Sequence, residues 1–342
     1  MSEEIVSIPF DPVPVLESLH AYSRKLLFLD QNYWRGLIAD GTPAWQTLRK
    51  RLQDLVSGGQ LLVPVTTSNL VELSKLTDAG QLQDIATLMN DLSRSVVLVD
   101  SRVRLAREMA FFIRNHRAPP GFAARRRQHA LSIWPALSGP VFLESHPSGR
   151  GREIAEAIAP EVFEAMARDG IRLTEPHMGG YPGWLREIDA KYESSMNDLR
   201  ARNASLPRRS FEVQVRDEAA AQLAAGPTSF KALRREVGDE LLARFTAAFP
   251  TDEGKRAAYM AGCPTLFTAA HVHAAYLEHP KRFLRSDAYD MENLITAAPY
   301  TDVAALDGHT RHIGSVRLQL DSTFGSRFAS SPTEILDLMS GY

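Results

Sequence analysis

Asp290-Met-Glu-Asn-Leu-Ile-Thr-Ala-Ala-Pro-Tyr-Thr-Asp302-Val-Ala-Ala-Leu-Asp307 is the stretch on which the reading of this chain turns. Ser286 to Ala298 has helical character, and Pro299 predicts its end, because proline has no amide proton and crowds the preceding turn. Asp302 to Leu306 then reads as a short strand closing on Asp307. The N-terminal part repeats the design. Lys25-Leu-Leu-Phe-Leu29 is an apolar run too short for a helix, consistent with a parallel strand buried on both faces, and it ends in Asp30. In open parallel sheets ligands sit beyond the carboxyl ends of the strands, so both acids point into the natural site.

Between these two stretches, Trp45 to Val56 has apolar residues at helical spacing and is stopped by Ser57-Gly58-Gly59. Leu61 to Val65 predicts a second strand in which Pro64 is tolerated only near an end or edge. Thr66-Thr-Ser-Asn69 offers caps for a helix from about Leu70, with Glu72 in its first turn. Ser95 to Asp100 is a third strand, Val316 to Leu320 a last strand and Pro332 to Met339 a last helix. From about Arg102 to Phe283 helical patterns dominate: Arg152 to Arg168, Gly183 to Arg202, Phe211 to Ala225, Ser229 to Phe249 and Thr265 to His279. Leu131 to Gly151 and Pro176 to Pro182, rich in Pro and Gly, read as loops. The expected architecture is α/β: one domain with a central parallel sheet made from residues 1–100 and 284–342, interrupted by a large, mainly α-helical insertion over 101–283.

Composition bounds the function classes. The 342 residues are 44% hydrophobic with mean hydropathy −0.21, and no apolar run approaches the ~18 residues of a bilayer span. The acidic start Met1-Ser-Glu-Glu does not resemble a secretion signal, and the single cysteine, Cys263, excludes an internal disulfide, so a cytoplasmic location is expected. A net charge of −2 gives no global attraction to nucleic acid, so such binding must come from local clusters. One stands out: Arg102, Arg104, Arg107, Arg114, Arg117, Arg125, Arg126 and Arg127 against the single acid Glu108. The run is either a solvated helix face or a surface that holds phosphates. We expect Arg125, Arg126 and Arg127 to contribute to substrate affinity.

Glu72 at the start of the helix after the second strand, and Asp290 on the helix before the strand that delivers Asp307, complete a set of four converging carboxylates with Asp30 and Asp307. Singly, each has an ordinary structural reading as a cap or a solvated helix residue. Together they repel one another at neutral pH unless a cation neutralises them. All-oxygen ligands without cysteine suit Mg²⁺ or Mn²⁺ rather than Zn²⁺. Such sites serve phosphodiester hydrolysis by stabilising the attacking water and the leaving oxygen.

Three stretches resemble the motifs of PIN-domain nucleases. Leu27-Phe-Leu-Asp30-Gln-Asn-Tyr-Trp34 is similar to the opening motif, with a polar residue, Asn32, two positions after the acid. Val63 to Glu72 is similar to the second, and Asp290 to Asp307, with its Pro-Tyr-x-Asp followed by a strand and Asp, to the third and fourth together. The resemblance covers about residues 24–100 and 284–342. It implies a sheet with Asp30, Glu72, Asp290 and Asp307 around one or two divalent ions, Asp302 as a fifth acid, and Asn32 and Asn293 near the substrate. Two departures are visible: Asn293 stands where many similar sequences carry His, and Leu306 precedes the last Asp in place of the frequent Thr. Asp287, one helical turn before Asp290, is an alternative third acid.

Other constellations are weaker. His271, His273 and His279 share a helical stretch without metalloprotease spacing, whereas His309 and His312 follow Asp307 closely enough to meet a phosphate. No Walker A loop, dinucleotide fingerprint or nucleophile elbow is present. Tyr33, Trp34 and Trp45 read as core or wall rather than as base-stacking platforms. The resulting expectation is a Mg²⁺- or Mn²⁺-dependent endoribonuclease, of a family that the resemblance connects with toxin, defence and RNA-processing roles. A structure-selective DNA nuclease is one alternative. A metal-free binding scaffold, with the insertion as an oligomer or partner surface, is another.

Overall fold

Leu26 to Leu29 are wholly excluded from solvent. In the computed structural model they form the middle of the sheet that organises the chain. The structure describes residues 6–9, 12–73, 75–115, 127–133, 142–145, 183–205, 209–224, 251–279 and 281–342, with 240, 243, 247 and 248. The predicted helix Arg152 to Arg168, the loop Pro176 to Pro182, most of Ser229 to Phe249, and Arg117, Arg125 and Arg126 lie outside the described residues.

The first part of the chain contains β1 (Val6–Pro9), α1 (Val13–Ser18), β2 (Lys25–Leu29), α2 (Gln31–Ala39), α3 (Pro43–Ser57), β3 (Leu61–Leu62), β4 (Val65–Thr66), α4 (Thr67–Leu73), α5 (Ala79–Ser93) and β5 (Val96–Leu98). There follow α6 (Ser101–Asn115), α7 (Arg127–Ala130), β6 (Leu131–Ile133), β7 (Phe142–Ser145), α8 (Gly183–Ser205), α9 (Phe211–Ala224), α10 (Asp252–Gly262) and α11 (Pro264–Leu277). The last part contains α12 (Arg285–Tyr300), β8 (Val303–Ala305), α13 (Gly308–His312), a π-helical turn (Ile313–Arg317), α14 (Leu320–Phe324), β9 (Arg327–Ala329) and α15 (Pro332–Leu338).

A four-stranded, all-parallel sheet has the order β3-β2-β8-β9. Strand side chains alternate between faces, and the two faces have separate covers. Leu27, Leu29, Val303 and Ala305 join one core with Trp34, Leu48, Leu52, Ile85, Met89 and Ile335 of α2, α3, α5 and α15. Phe28, Ala304 and Leu306 join another with Val272 and Tyr276 of α11, Met291 and Leu294 of α12, and Leu320 of α14. The expected α/β class is thus observed, in a mostly helical molecule. A second sheet, β4-β5-β6, is parallel between β4 and β5 and antiparallel between β5 and β6, and β1 pairs antiparallel with β7. No helix among the described residues is long and apolar enough to cross a membrane.

Several expectations are corrected. The single strand Leu61 to Val65 is two: Pro64 cannot donate to a ladder, and the chain uses it to leave β2 and pair with β5 instead. Pro299 does not end its helix, because α12 runs on to Tyr300 in a fully buried last turn, where Thr301 N–H donates to the Ala297 carbonyl at 3.0 Å. Val316 to Leu320 is not a strand. Val316 is 64% exposed, Gln319 takes the left-handed conformation that starts α14, and Arg327–Ala329 pairs with β8 in its place. The π-helical turn before it depends on Gly314, where a Cβ would come within 2.7 Å of the Phe328 ring and 2.9 Å of Leu294. Within the segment read as a loop after Ala130, Leu131–Ile133 is a buried edge strand on β5 and Phe142–Ser145 is the partner of β1. Helix α10, capped by Thr251 accepting from Gly254 N–H, has no counterpart among the helices expected from sequence. Among the aromatics, Trp34 and Tyr33 are core and Trp45 packs on Tyr33, in line with the sequence reading.

Candidate metal centre

β2 and β8 are neighbours in register, Leu29 opposite Ala305, and the Asp30 amide donates to the Ala305 carbonyl at 3.0 Å. The residues following each strand therefore emerge side by side at the carboxyl edge of the sheet. Both acids are also helix N-caps. Asp30 Oδ1 accepts from Gln31 N–H at 2.6 Å, and Asp307 Oδ1 accepts from His309 N–H at 2.7 Å and Thr310 N–H at 3.1 Å. The capping role and a ligand role are compatible, because capping occupies one oxygen of each carboxylate. Asp307 Oδ2 is buried and has no hydrogen-bond partner among the described residues. Asp290, on α12, brings the third acid: Asp30, Asp290 and Asp307 each offer an oxygen within 4.8 Å of the others. It is the only grouping of potential metal ligands among the described residues.

The charges in this cluster oppose one another. Burial, and then the carboxylates of Asp307, Asp30, Glu72 and Asp287, push Asp290 up to about 8. Burial and Asp30 raise Glu72 to about 7 against the opposing pull of Lys75 and Arg35. Asp30 rises to about 6, through burial offset by the Gln31 amide and reinforced by Asp307. A carboxylate cluster that resists ionisation in the absence of a cation becomes favourable when one is present. The residues fit a hard divalent ion on two grounds: an all-oxygen donor set, and the orphaned buried Oδ2 of Asp307.

The structure sorts the other expected site residues. Glu72 lies in the last turn of the short helix α4, not the first turn of a longer one, and it is an electrostatic neighbour of Asp30 outside the three-acid group. Asp287 Oδ2 accepts from Leu284 N–H at 2.8 Å and caps α12, which leaves Asp290 as the third acid. Asp302 is corrected outright, since it precedes β8 and so sits at the opposite end of the strand from Asp307. Its carboxylate accepts from Leu26 N–H at 2.9 Å and pairs with Arg127 at 2.5 Å and Lys25 at 3.5 Å. Arg127 is corrected with it: the guanidinium also donates to the Arg24 carbonyl at 2.7 Å, so it ties chain segments together instead of offering itself to phosphate. Arg104, from the same basic run, is wholly buried and donates to the Val99 carbonyl and to Thr296 Oγ1.

Asn293 is also reassigned. Expected near substrate, it is buried, its Nδ2 donates to Asp30 Oδ1 at 3.0 Å and its Oδ1 accepts from Ser68 Oγ at 2.6 Å. One helical turn beyond Asp290, it locks the orientation of an acid that comes from the far end of the chain. Ser68 Oγ lies 2.8 Å from Thr66 Oγ1, which donates to Asn69 Oδ1, and Asn69 Nδ2 donates to the Leu29 carbonyl just before Asp30. Sequence reasoning assigns these residues only as caps of α4. Their further use has one visible signal, four consecutive polar residues, Thr66 to Asn69, where a buried strand turns directly into a helix. Asn32 stays exposed on α2, two residues from Asp30.

The histidines divide as well. His273 is pushed down to about 4 by burial within α11, and His271 shares a hydrogen bond with the Phe267 carbonyl. His309 is exposed, with its ring 4.9 Å from His279 and 6.2 Å from Tyr276. His312 is exposed beside a cavity that Gly308, Arg311 and Ser330 also line. On the other flank, Lys75 Nζ lies 3.9 Å over the Tyr289 ring, and Tyr289 Oη donates to Asp189 Oδ2 at 2.7 Å. Comparison of the chain with family models, with curated proteins and with solved structures finds no match in any of the three, so the functional reading rests on the geometry of the acids.

Proposed function

We propose that this chain is a Mg²⁺- or Mn²⁺-dependent endoribonuclease of the PIN type, with its active site at the carboxyl edge of β2 and β8. The observation that carries the reading is the meeting of Asp30 with Asp290 and Asp307, from opposite ends of the chain, within 4.8 Å on the side of a parallel sheet where such folds bind ligands. Asp30, Asp290 and Asp307 would hold the ion, with Glu72 as the adjacent fourth carboxylate. A divalent cation bound there supplies the positive charge that lowers the pKa of water and offsets charge building on a phosphoryl oxygen.

The chain's own groups do the rest. The N-cap hydrogen bonds fix one oxygen of Asp30 and one of Asp307, and Asn293 holds Asp30 from the side, so the carboxylates are oriented before any ligand arrives. Glu72 is a fourth acid at the site, outside the tight trio and, unlike Asp287, neither a helix cap nor in an ion pair among the described residues. Held to about 7 by burial and Asp30, it is placed to exchange a proton near neutral pH. Lys75, one turn on, offers a cation to the phosphate chain. The single cysteine, Cys263, is buried and free, which suits the reducing environment of the cytoplasm.

The test is cleavage of matched single-stranded RNA and DNA oligonucleotides with and without chelator, run beside calorimetric titration of Mn²⁺ into wild-type protein and Asp307→Asn. Metal-restored RNA cleavage and Mn²⁺ binding that the variant lacks support the reading. Full cleavage in excess chelator, or no site-specific Mn²⁺ binding by the wild type, overturns it. Cleavage of DNA in preference to RNA keeps the chemistry and replaces the substrate.

A further inference from the structure

A cavity of about 590 Å³ opens between the C-terminal half of α8, the N-terminal half of α9 and the end of α11. Its volume falls within the ~300–1,000 Å³ of small-ligand clefts. Its lining mixes cations, acids and amides. Of the cations, Arg209 and Arg282 are in ion pairs, and Arg200 and Lys281 contact no carboxylate among the described residues. Arg200 donates its terminal nitrogens to the Lys281 and Tyr276 carbonyls, its buried Nε has no partner among the described residues, and Asp287 is the carboxylate that acts on its charge from beyond ion-pair distance. Lys281 is exposed. Gln214 and Asn203 add amides to the lining; Gln214 Nε2 donates to Glu278 Oε1 at 2.6 Å, which leaves its oxygen and the Asn203 amide as groups that can pair with the edge of a base. Of the three acids in the lining, Asp217 pairs with Arg209 at 2.8 Å and Glu278 with Arg317 at 2.5 Å, whereas Glu218, raised by burial and by Asp217, faces His273 at 3.8 Å.

A short chain of contacts links the cavity to the acid cluster. His279, part of the cavity lining, packs its ring against His309, whose backbone amide caps Asp307. Tyr276, whose carbonyl accepts from Arg200, also faces His309 with its ring. A nucleotide chain whose scissile phosphate lay at Asp307 and that ran past His309 and His279 would meet the cavity with Lys281 and Arg200 in its lining. We propose that this cavity binds the nucleotide adjacent to the scissile phosphate of a single-stranded RNA, with Lys281 and Arg200 on its phosphate and the Gln214 oxygen and Asn203 amide against the edge of its unstacked base. The inference rests on the nuclease reading and deepens it. A paired strand cannot place a base in such a recess, so the site selects unpaired segments.

Two variants test it separately from the chemistry. Lys281→Ala removes an exposed cation without disturbing the backbone carbonyls that Arg200 holds, and Ala204→Trp fills the cavity from an exposed position on α8. The probe is a fluorescent single-stranded RNA oligonucleotide, measured for binding in chelator over a range of salt and for cleavage with Mn²⁺. Each phosphate contact on a single strand contributes about 0.7 to the log–log salt slope, so Lys281→Ala should lower that slope by about 0.7 and raise KM several-fold, with kcat within a factor of two. Ala204→Trp should raise KM without changing the slope, and duplex RNA should bind no better to wild type than to either variant. If both variants keep the wild-type KM and slope while the wild type cleaves, the cavity proposal falls and the nuclease reading stands. If the wild type binds the strand through Lys281 yet never cleaves it with metal, the cavity stands and the nuclease reading falls.

Discussion

Replacing Asp290 by Asn separates a metal ligand from a structural acid. Asp290 is held at about 8 against an ordinary value of 3.8, by burial and by the surrounding carboxylates. A tenfold change in proton affinity is worth about 1.4 kcal/mol, so keeping this carboxyl protonated at pH 7, where the unfolded chain would have released the proton, costs the metal-free fold up to about 4 kcal/mol. Hydration of the partly exposed group screens much of that, and a net gain of about 1–2 kcal/mol is expected when Asn removes the titration. For a chain of this size that is a Tm increase of a few degrees. The sign follows from linkage. A carboxyl with a raised folded pKa leaves the fold most stable below the unfolded value, and stability falls as pH rises towards 8. The advantage of Asp290→Asn should therefore be absent near pH 4, grow from there and level off above pH 8. The assay is thermal unfolding in chelator from pH 4 to 9, repeated with Mn²⁺, which should raise the wild-type Tm and leave that of the variant unmoved. A variant less stable than wild type in chelator at pH 8 would overturn this account, since it would show Asp290 making a stabilising contact that its charge merely accompanies.

Three further outcomes are expected. Because protons compete with the metal at Asp290, Glu72 and Asp30, raised to about 8, 7 and 6, Mn²⁺ affinity should climb steadily from pH 5.5 to 8.5, and a flat calorimetric profile would remove the cluster as the site. Asn293→Ala should weaken Mn²⁺ binding ~10–100-fold while retaining the fold, because it frees Asp30 from the bridge to Ser68; unchanged affinity would reduce Asn293 to a packing role. Asp302→Ala should lower stability by ~2–4 kcal/mol, since it leaves Arg127 and the Leu26 amide without their shared partner, yet metal affinity should stay at the wild-type level; loss of Mn²⁺ binding in a folded variant would return Asp302 to the site.

The strand-end acids were legible because their signal is local: a short apolar run followed at once by Asp, twice, with Leu27 to Asp30 and Val303 to Asp307 on neighbouring strands. Helices such as Gly183–Ser205 and Phe211–Ala224 were legible for the same reason, as helix-favouring runs bounded by local breakers at Pro182, Pro207 and Gly226-Pro227. Failures came where the deciding partner was distant. Pro299 obeys its own local rule only in a helix that can end, and here the buried last turn of α12 holds the chain past it. Val316 to Leu320 alternates like a strand, but the place beside β8 was taken by Arg327–Ala329, whose register only the assembled sheet reveals.

Read alone, the chain establishes that acids follow two apolar strand-like runs, that a single thiol and no metalloprotease-type histidine pair compete for a metal, and that positive charge is confined to patches. Which acids meet was set by packing. Asp302 and Asp307 are near neighbours in sequence, yet a strand between them sends one to Arg127 and the other to Asp30 at opposite edges of the sheet. Asn293 and Ser68, 225 residues apart, share a hydrogen bond that aligns Asp30. Capping, periodicity and strand length act over a few residues and so are written locally. The repulsion that makes a site out of carboxylates depends instead on distances fixed by the packing of α11 and α12 on one face of the sheet and α2, α3 and α5 on the other.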